Sequence, residues 1–224
     1  MSEIKERPIL FSGAMVRAIL SGQKTVTRRP VKRLALKWLD DGFEPSFVAD
    51  PDNAMCPYGQ PGERLWVRES WWQAGGWQST YPEDDEGSWF GSKRVVYSAD
   101  GSTPNEPNHY YPDGLRNGAY SAADPHRIWR HRPSIHMPRW ASRILLEITA
   151  VRVERLQDIS GDQAQAEGVD AAMCRQFLET SPSRFECKEA VIHGFAGLWA
   201  SINGAESWHA NPWVWVVEFK RVTP

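Results

Sequence analysis

Between Lys24 and Pro30 the chain reads Lys-Thr-Val-Thr-Arg-Arg-Pro, which sets an amine, two hydroxyls and two guanidinium groups side by side. An amine acts as a base near neutral pH only when burial or neighbouring positive charge lowers its pKa by several units, and Arg28 and Arg29 supply such charge. The same groups could bind phosphate, or stabilise the phosphorane-like transition state of a ribonuclease. Opposed to these stands a plain structural account. Lys24 is then a solvated lysine favoured by the dipole at a helix end, and Thr27 a strand threonine with a satisfied hydroxyl.

Three further groups carry chemistry. Glu69 and Glu167 are the carboxylates that stand in well-defined local contexts, Glu69 at the end of a strand pattern and Glu167 in the last turn of a short helix, where its charge opposes the dipole. His126, His131 and His136 are spaced five apart in an Arg- and Pro-rich context with no HExxH or carboxylate partner, so no metal site is expected and no cofactor is implied. Arg127, Arg130, Arg132, Arg139 and Arg143 interleave with Trp129 and Trp140. That pattern fits either stacking on a nucleotide or single strand, or a solvated basic edge whose tryptophans are core.

The elements that must position these residues can be read from pattern. Ser12, then Ala14, Met15, Val16, Ala18, Ile19 and Leu20, then Gly22, spell a short amphipathic helix with a serine cap and a glycine stop. Thr25, Val26 and Thr27 favour a strand, which Pro30 is expected to break after Arg29. Residues three apart on a strand point to opposite faces, so Lys24 must sit on the turn before it. Gln60–Glu63 is a Pro-Gly turn that feeds a strand at 64–69. Residues 143–156 alternate as one long strand, or two, with a kink at Ala150, and Ser160 with Gln163 forms a capping box for the helix that ends at Gly168. Helical spacing recurs at 173–178 and 190–202, and 212–219 is apolar on both faces, hence a central strand. The polar stretch 73–130, in which only 94–97 resembles a strand, reads as an insertion into a single domain spanning 1–224. The expected class is α+β, mainly β: a mixed barrel with flanking short helices.

Composition narrows the partners. A net charge of -2 argues against a protein that grips duplex nucleic acid by overall electrostatics. Cys56, Cys174 and Cys187 are odd in number and widely spaced, which suggests neither a disulfide framework nor a zinc ribbon and fits a reducing cytoplasm. The first residues lack the apolar core of a signal peptide, and no stretch approaches the ~18 apolar residues of a membrane span, so a cytoplasmic monomer without membrane contact is expected.

The segments AILSGQKTVTRRP, PGERLWVRESW, AQAEGV and NPWVWVVEFK together resemble the ASCH domain family, in the longer form common among phage and prophage genes. The GxKTxTxR element is the most specific of them, and the resemblance covers about half the chain, leaving 73–130 outside. It implies a PUA-like β-barrel with a cleft, found in RNA-associated proteins and in small amidohydrolases that remove the acyl group from N(4)-acetylcytidine. In those hydrolases the functional residues are a lysine, a threonine three residues on and a distant glutamate, which match Lys24, Thr27 and Glu167, with Glu69 the competing acid. On this reading Thr27, or a water it holds, attacks the acyl carbon, Lys24 is the base, and Glu167 assists the leaving nitrogen. Arg28, Arg29, Trp66, Arg68, Glu69, Met137 and Trp140 are expected to bind the substrate, a small nucleoside or single-stranded RNA.

Overall fold

The computed structural model describes residues 4–80, 87–103, 128–169 and 187–223. The chain divides into two compact units: the first holds residues 1–9, 18–66 and 144–224, the second 10–17 and 67–143.

The first unit is built on a five-stranded sheet in the order β1 (Glu6–Leu10), β3 (Arg64–Arg68), β7 (Leu145–Arg155), β8 (Trp213–Val222) and β2 (Val26–Pro30). The strand apolar on both faces, β8, is interior, antiparallel to β7 on one side and to the edge strand β2 on the other. The kink expected at Ala150 is a register irregularity between Ile148 and Ala150 in the β7–β8 pairing. One face of the sheet carries Val26, Val214 and Val216, closed over by Leu156, Ile159, Ala164, Val169, Phe195 and Trp199. Those residues come from α4 (Gly161–Ala166), its flanks, and α5 (Cys187–Asn203), the observed form of the helical pattern at 190–202. The helix expected at 173–178 lies outside the described residues. Two more helices, α2 (Arg33–Asp40) and α3 (Pro45–Ala49), follow β2.

Two expectations are corrected. Neither sheet closes into a barrel; the architecture is mixed, with open sheets whose edges remain. Pro30 does not break β2 but ends it from within, paired with Val214. The reason is register. Phe219 donates to the Thr25 carbonyl and Val31 to the Trp213 carbonyl, so the odd-numbered residues of this segment face β8. Even-numbered residues turn their backbone groups to the free edge, where the N–H that proline lacks is not needed.

The second unit contains α1 (Gly13–Leu20) in part and a three-stranded sheet, β5 (Gly87–Tyr97), β4 (Trp71–Ser79) and β6 (Trp129–Arg132), in that order. The segment read as an insertion at 73–130 thus supplies most of a sheet, with 81–86 and 104–127 outside the described residues. Pattern missed β4 because Gln73, Gly75, Gly76 and Gln78 dilute its apolar alternation. Gly75 is required: a Cβ there would stand 2.6 Å from the Trp89 ring across the β4–β5 pairing.

Candidate functional site

Helix α1 ends at Leu20, Gly22 turns the chain with φ +78°, and Lys24 lies in the connection before β2, off the strand as the spacing required. Residues 23–25 are then zipped onto the end of α4. Gln23 Nε2 donates to the Val169 carbonyl at 3.0 Å, Thr25 N to the Ala166 carbonyl at 2.9 Å, and Lys24 lies between them. Gly168 makes this approach possible: it takes φ +88° after the helix, and a Cβ there would stand 2.9 Å from Ala18 Cβ and 3.3 Å from Lys24 Cβ.

Lys24 is 2 % exposed, and its amine donates three hydrogen bonds: to the Val26 carbonyl and the Glu167 carbonyl, both at 2.8 Å, and to Glu167 Oε2 at 2.7 Å. Three acceptors around one nitrogen match the three protons of an ammonium. The Val26 carbonyl is one of the edge-facing groups of β2, and the Glu167 carbonyl closes α4, so Lys24 also satisfies backbone that neither element can. Burial pulls the Lys24 amine below the ordinary lysine range; Glu167 opposes that pull and Arg29 and Arg28 add to it.

Glu167 is the C-cap of α4 and 3 % exposed. Its second oxygen accepts from Arg28 Nη1 at 3.2 Å. The other Arg28 terminal nitrogen, Nη2, donates to Glu154 Oε1 at 2.5 Å and Gln163 Oε1 at 3.0 Å. Gln163 is the residue that completes the capping box with Ser160. One guanidinium therefore grips α4 at its first turn and at its last residue. The chain of charge continues outward: Arg152 bonds Glu154 at 3.0 Å and pairs with Glu218. Six groups of alternating sign run from the buried Lys24 to the surface, summing to zero.

Thr27 is 2 % exposed and lies opposite Val217. Alternation along β2 places its side chain on the face away from Val26 and Arg28, so it leaves the strand on the other side from the Glu167 grip. Arg29 shares the Thr27 face; burial lowers its pKa, with Tyr58 and Glu167 acting against the shift. Trp66 is half-buried on β3 in the same unit.

The remaining expected site residues belong to the second unit, and each is engaged there. Arg68 donates to the Ile135 carbonyl. Glu69, 1 % exposed, takes a two-point bond from Arg143 at 3.0 and 3.1 Å, and Arg143 also reaches Asp100 and stacks 3.9 Å from the Tyr97 ring centroid. Burial raises the Glu69 pKa in spite of Arg143. Met137 is core with Trp71 and Ala141, and Trp140 sets its edge on Trp71 at 5.9 Å while staying half exposed. Of the two candidate acids, Glu167 is the one bonded to Lys24. Sequence reading gave Arg28 a charge role and a place among the substrate-binding residues, whereas here it bonds Glu167, Glu154 and Gln163; Glu154 was missed, and for Gln163 the capping box was the available signal.

Among the described residues no group of three or more His, Cys, Asp or Glu side chains is placed to hold a metal ion, and no helix is long and apolar enough to cross a membrane. Compared with protein-family models, curated proteins and solved structures, the chain matches none.

Proposed function

We propose that the chain is an ASCH-type, metal-independent amidohydrolase with a PUA-like core that removes the acyl group from N(4)-acylated cytidine or related cytosine nucleosides. The observation that supports this reading is the solvent-excluded Lys24–Glu167 pair, at the positions the resemblance implies. Buried ion pairs are at best weakly stabilising, so their presence beside perturbed titration points toward use.

The pair can serve as base and acid together. A proton crossing the 2.7 Å contact turns ammonium and carboxylate into amine and carboxylic acid with no change in net charge. The amine takes the Thr27 hydroxyl proton as Oγ1 bonds the acyl carbon. The C–N bond then breaks, and Glu167 passes its proton to the departing cytosine nitrogen. Water hydrolyses the Thr27 ester: Glu167 takes a water proton, Lys24 returns one to Oγ1, and the acyl group leaves as a carboxylic acid. Because Thr27 projects from the opposite face, Lys24 must let go of the Val26 carbonyl and pass around the free edge of β2 to reach it.

The test is cytidine release from N(4)-acetylcytidine, followed by chromatography with EDTA present, for the wild type and for Lys24→Ala, Thr27→Ala and Glu167→Gln. Release by the wild type, reduced at least about a hundredfold in each variant, is expected, since removal of a base or nucleophile typically has effects of that order. A second reading, a module that binds a modified base without cleaving it, is favoured by one observation: every Lys24 proton already has an acceptor. Calorimetric binding of N(4)-acetylcytidine with no release from it or bulkier N(4)-acyl analogues would establish that reading instead.

A further inference from the structure

The basic and aromatic residues of the second unit sort into two sets. Trp129 is 6 % exposed, and Arg143 is held by Glu69 and Asp100, so neither is open to a ligand. Arg130 and Arg132 differ. They stand two apart on β6, hence on one face, in register with Gln73 and Trp71 of β4. Neither forms an ion pair among the described residues. Arg130 lies over the Trp89 ring, 6.0 Å from its centroid, and Arg132 Nε donates to Gln73 Oε1 at 3.3 Å. Burial lowers the Arg132 pKa, and the neighbouring Arg130 adds to the shift.

The strands around them hold no compensating acid. Arg130 and Arg132 lie in β6 and Lys93 in β5, and β4, β5 and β6 contain no aspartate or glutamate. Of the acids that flank these strands in sequence, Glu69 and Asp100 pair with Arg143, and Glu83, Asp84, Asp85, Glu86 and Asp124 lie outside the described residues. In a chain with 28 acidic against 26 basic residues, a carboxylate-free sheet is a local reversal of charge. The aromatic wall is fixed by backbone: Trp89 lies against Gly75, Gln73 lies against Gly91, and the two glycines face each other in register. Gln73, Trp89, Arg130 and Arg132 are all partly open to solvent.

We propose that Trp89, Arg130, Arg132 and Gln73 form a binding surface for a single-stranded polynucleotide, separate from the Lys24–Glu167 site. The arginines meet consecutive phosphates and a base stacks on Trp89, while Gln73, whose amide donates to the Ser92 carbonyl at 2.8 Å and accepts from Arg132 at 3.3 Å, holds Arg132 in place. Two arginines on one face, without an ion pair among the described residues and beside a flat ring, match phosphates alternating with bases; a lipid surface or an acidic peptide would leave the ring without a stacking partner. A duplex hides the faces of its bases, so it meets only the charges.

Fluorescence polarisation of labelled 20-nucleotide oligouridylate, oligothymidylate and a duplex of equal length, over a range of salt, tests this. The full chain is expected to bind both single strands more tightly than the duplex, with affinity falling as salt rises. Arg130→Gln with Arg132→Gln should weaken binding about tenfold or more and reduce the log–log salt slope by about 1.4, two phosphate contacts on a single strand. Arg130→Lys with Arg132→Lys should keep the slope, and Trp89→Leu should weaken binding while leaving the slope unchanged. Circular dichroism confirms that each variant is folded. Wild-type binding absent at 50 mM salt, a duplex bound as tightly, or unchanged affinity in the glutamine variant would overturn the proposal, whatever the outcome with N(4)-acetylcytidine.

Discussion

At the scale of single residues, Arg28 concentrates more consequence than any other side chain in the first unit. Its guanidinium is fully buried and bonded to two carboxylates and an amide, so replacing it strands Glu167 and Glu154 in low dielectric. Arg28→Met is expected to lower unfolding free energy by about 3–5 kcal/mol in urea titration. Arg152→Gln, one-third exposed at the outer end of the same charge chain, should lower it by no more than about 1 kcal/mol. Equal effects would show that the chain of charge acts as one unit rather than as a graded series. This ranking was not legible in the sequence. The string Thr-Arg-Arg-Pro gives two arginines equal standing, and only the pairing of β2 with β8 decides that Arg28 faces α4 while Arg29 faces away. Lys24 and Glu167, by contrast, came from motif and local context, and the structure bonds them to each other.

At the scale of elements, α4 is too short to stand on its own propensity, having six residues, and its ends do the fixing. Ser160→Ala removes one half of the capping box and should lower stability by about 1 kcal/mol. Gly168→Ala meets both a left-handed φ and the Ala18 and Lys24 side chains, so a loss of about 1–3 kcal/mol is expected, and with it the register of 23–25 on 166–169. Slowed cytidine release in Gly168→Ala but not in Ser160→Ala, with both folded by near-ultraviolet circular dichroism, would tie function to that register. The capping box and the glycine stop were both readable beforehand because they are local. β4 was not, since a strand that must place a glycine, Gly75, against the Trp89 ring, and carries Gly76 and two glutamines besides, loses the alternation by which strands are recognised.

For the whole molecule, class was legible and closure was not. Alternating and doubly apolar runs revealed β2, β3, β7 and β8 of the larger sheet and the interior place of β8, but not β1, and whether edges meet depends on backbone groups that pattern does not encode. The molecule's stability toward pH carries a signature of the second unit. Burial raises the Glu69 pKa above its ordinary 4.5, so the folded chain holds that proton more tightly than the unfolded chain does. Its contribution is fully present below 4.5 and drains as pH rises through the raised value. Glu69→Gln should therefore remove a decline in thermal midpoint with rising pH over that window, as read by calorimetry. A variant that declines as steeply as the wild type would show that the slope arises elsewhere.

An open sheet edge is a template on which other chains can assemble. Along β2 the outward positions are occupied in turn by Lys24, which covers the Val26 carbonyl, and by Pro30, which offers no donor. A strand from a second molecule docking there would find one acceptor already taken, a buried cation in its path and a missing N–H at the far end. The lysine of the candidate site thus leaves this edge, among the described residues, a poor template for another strand.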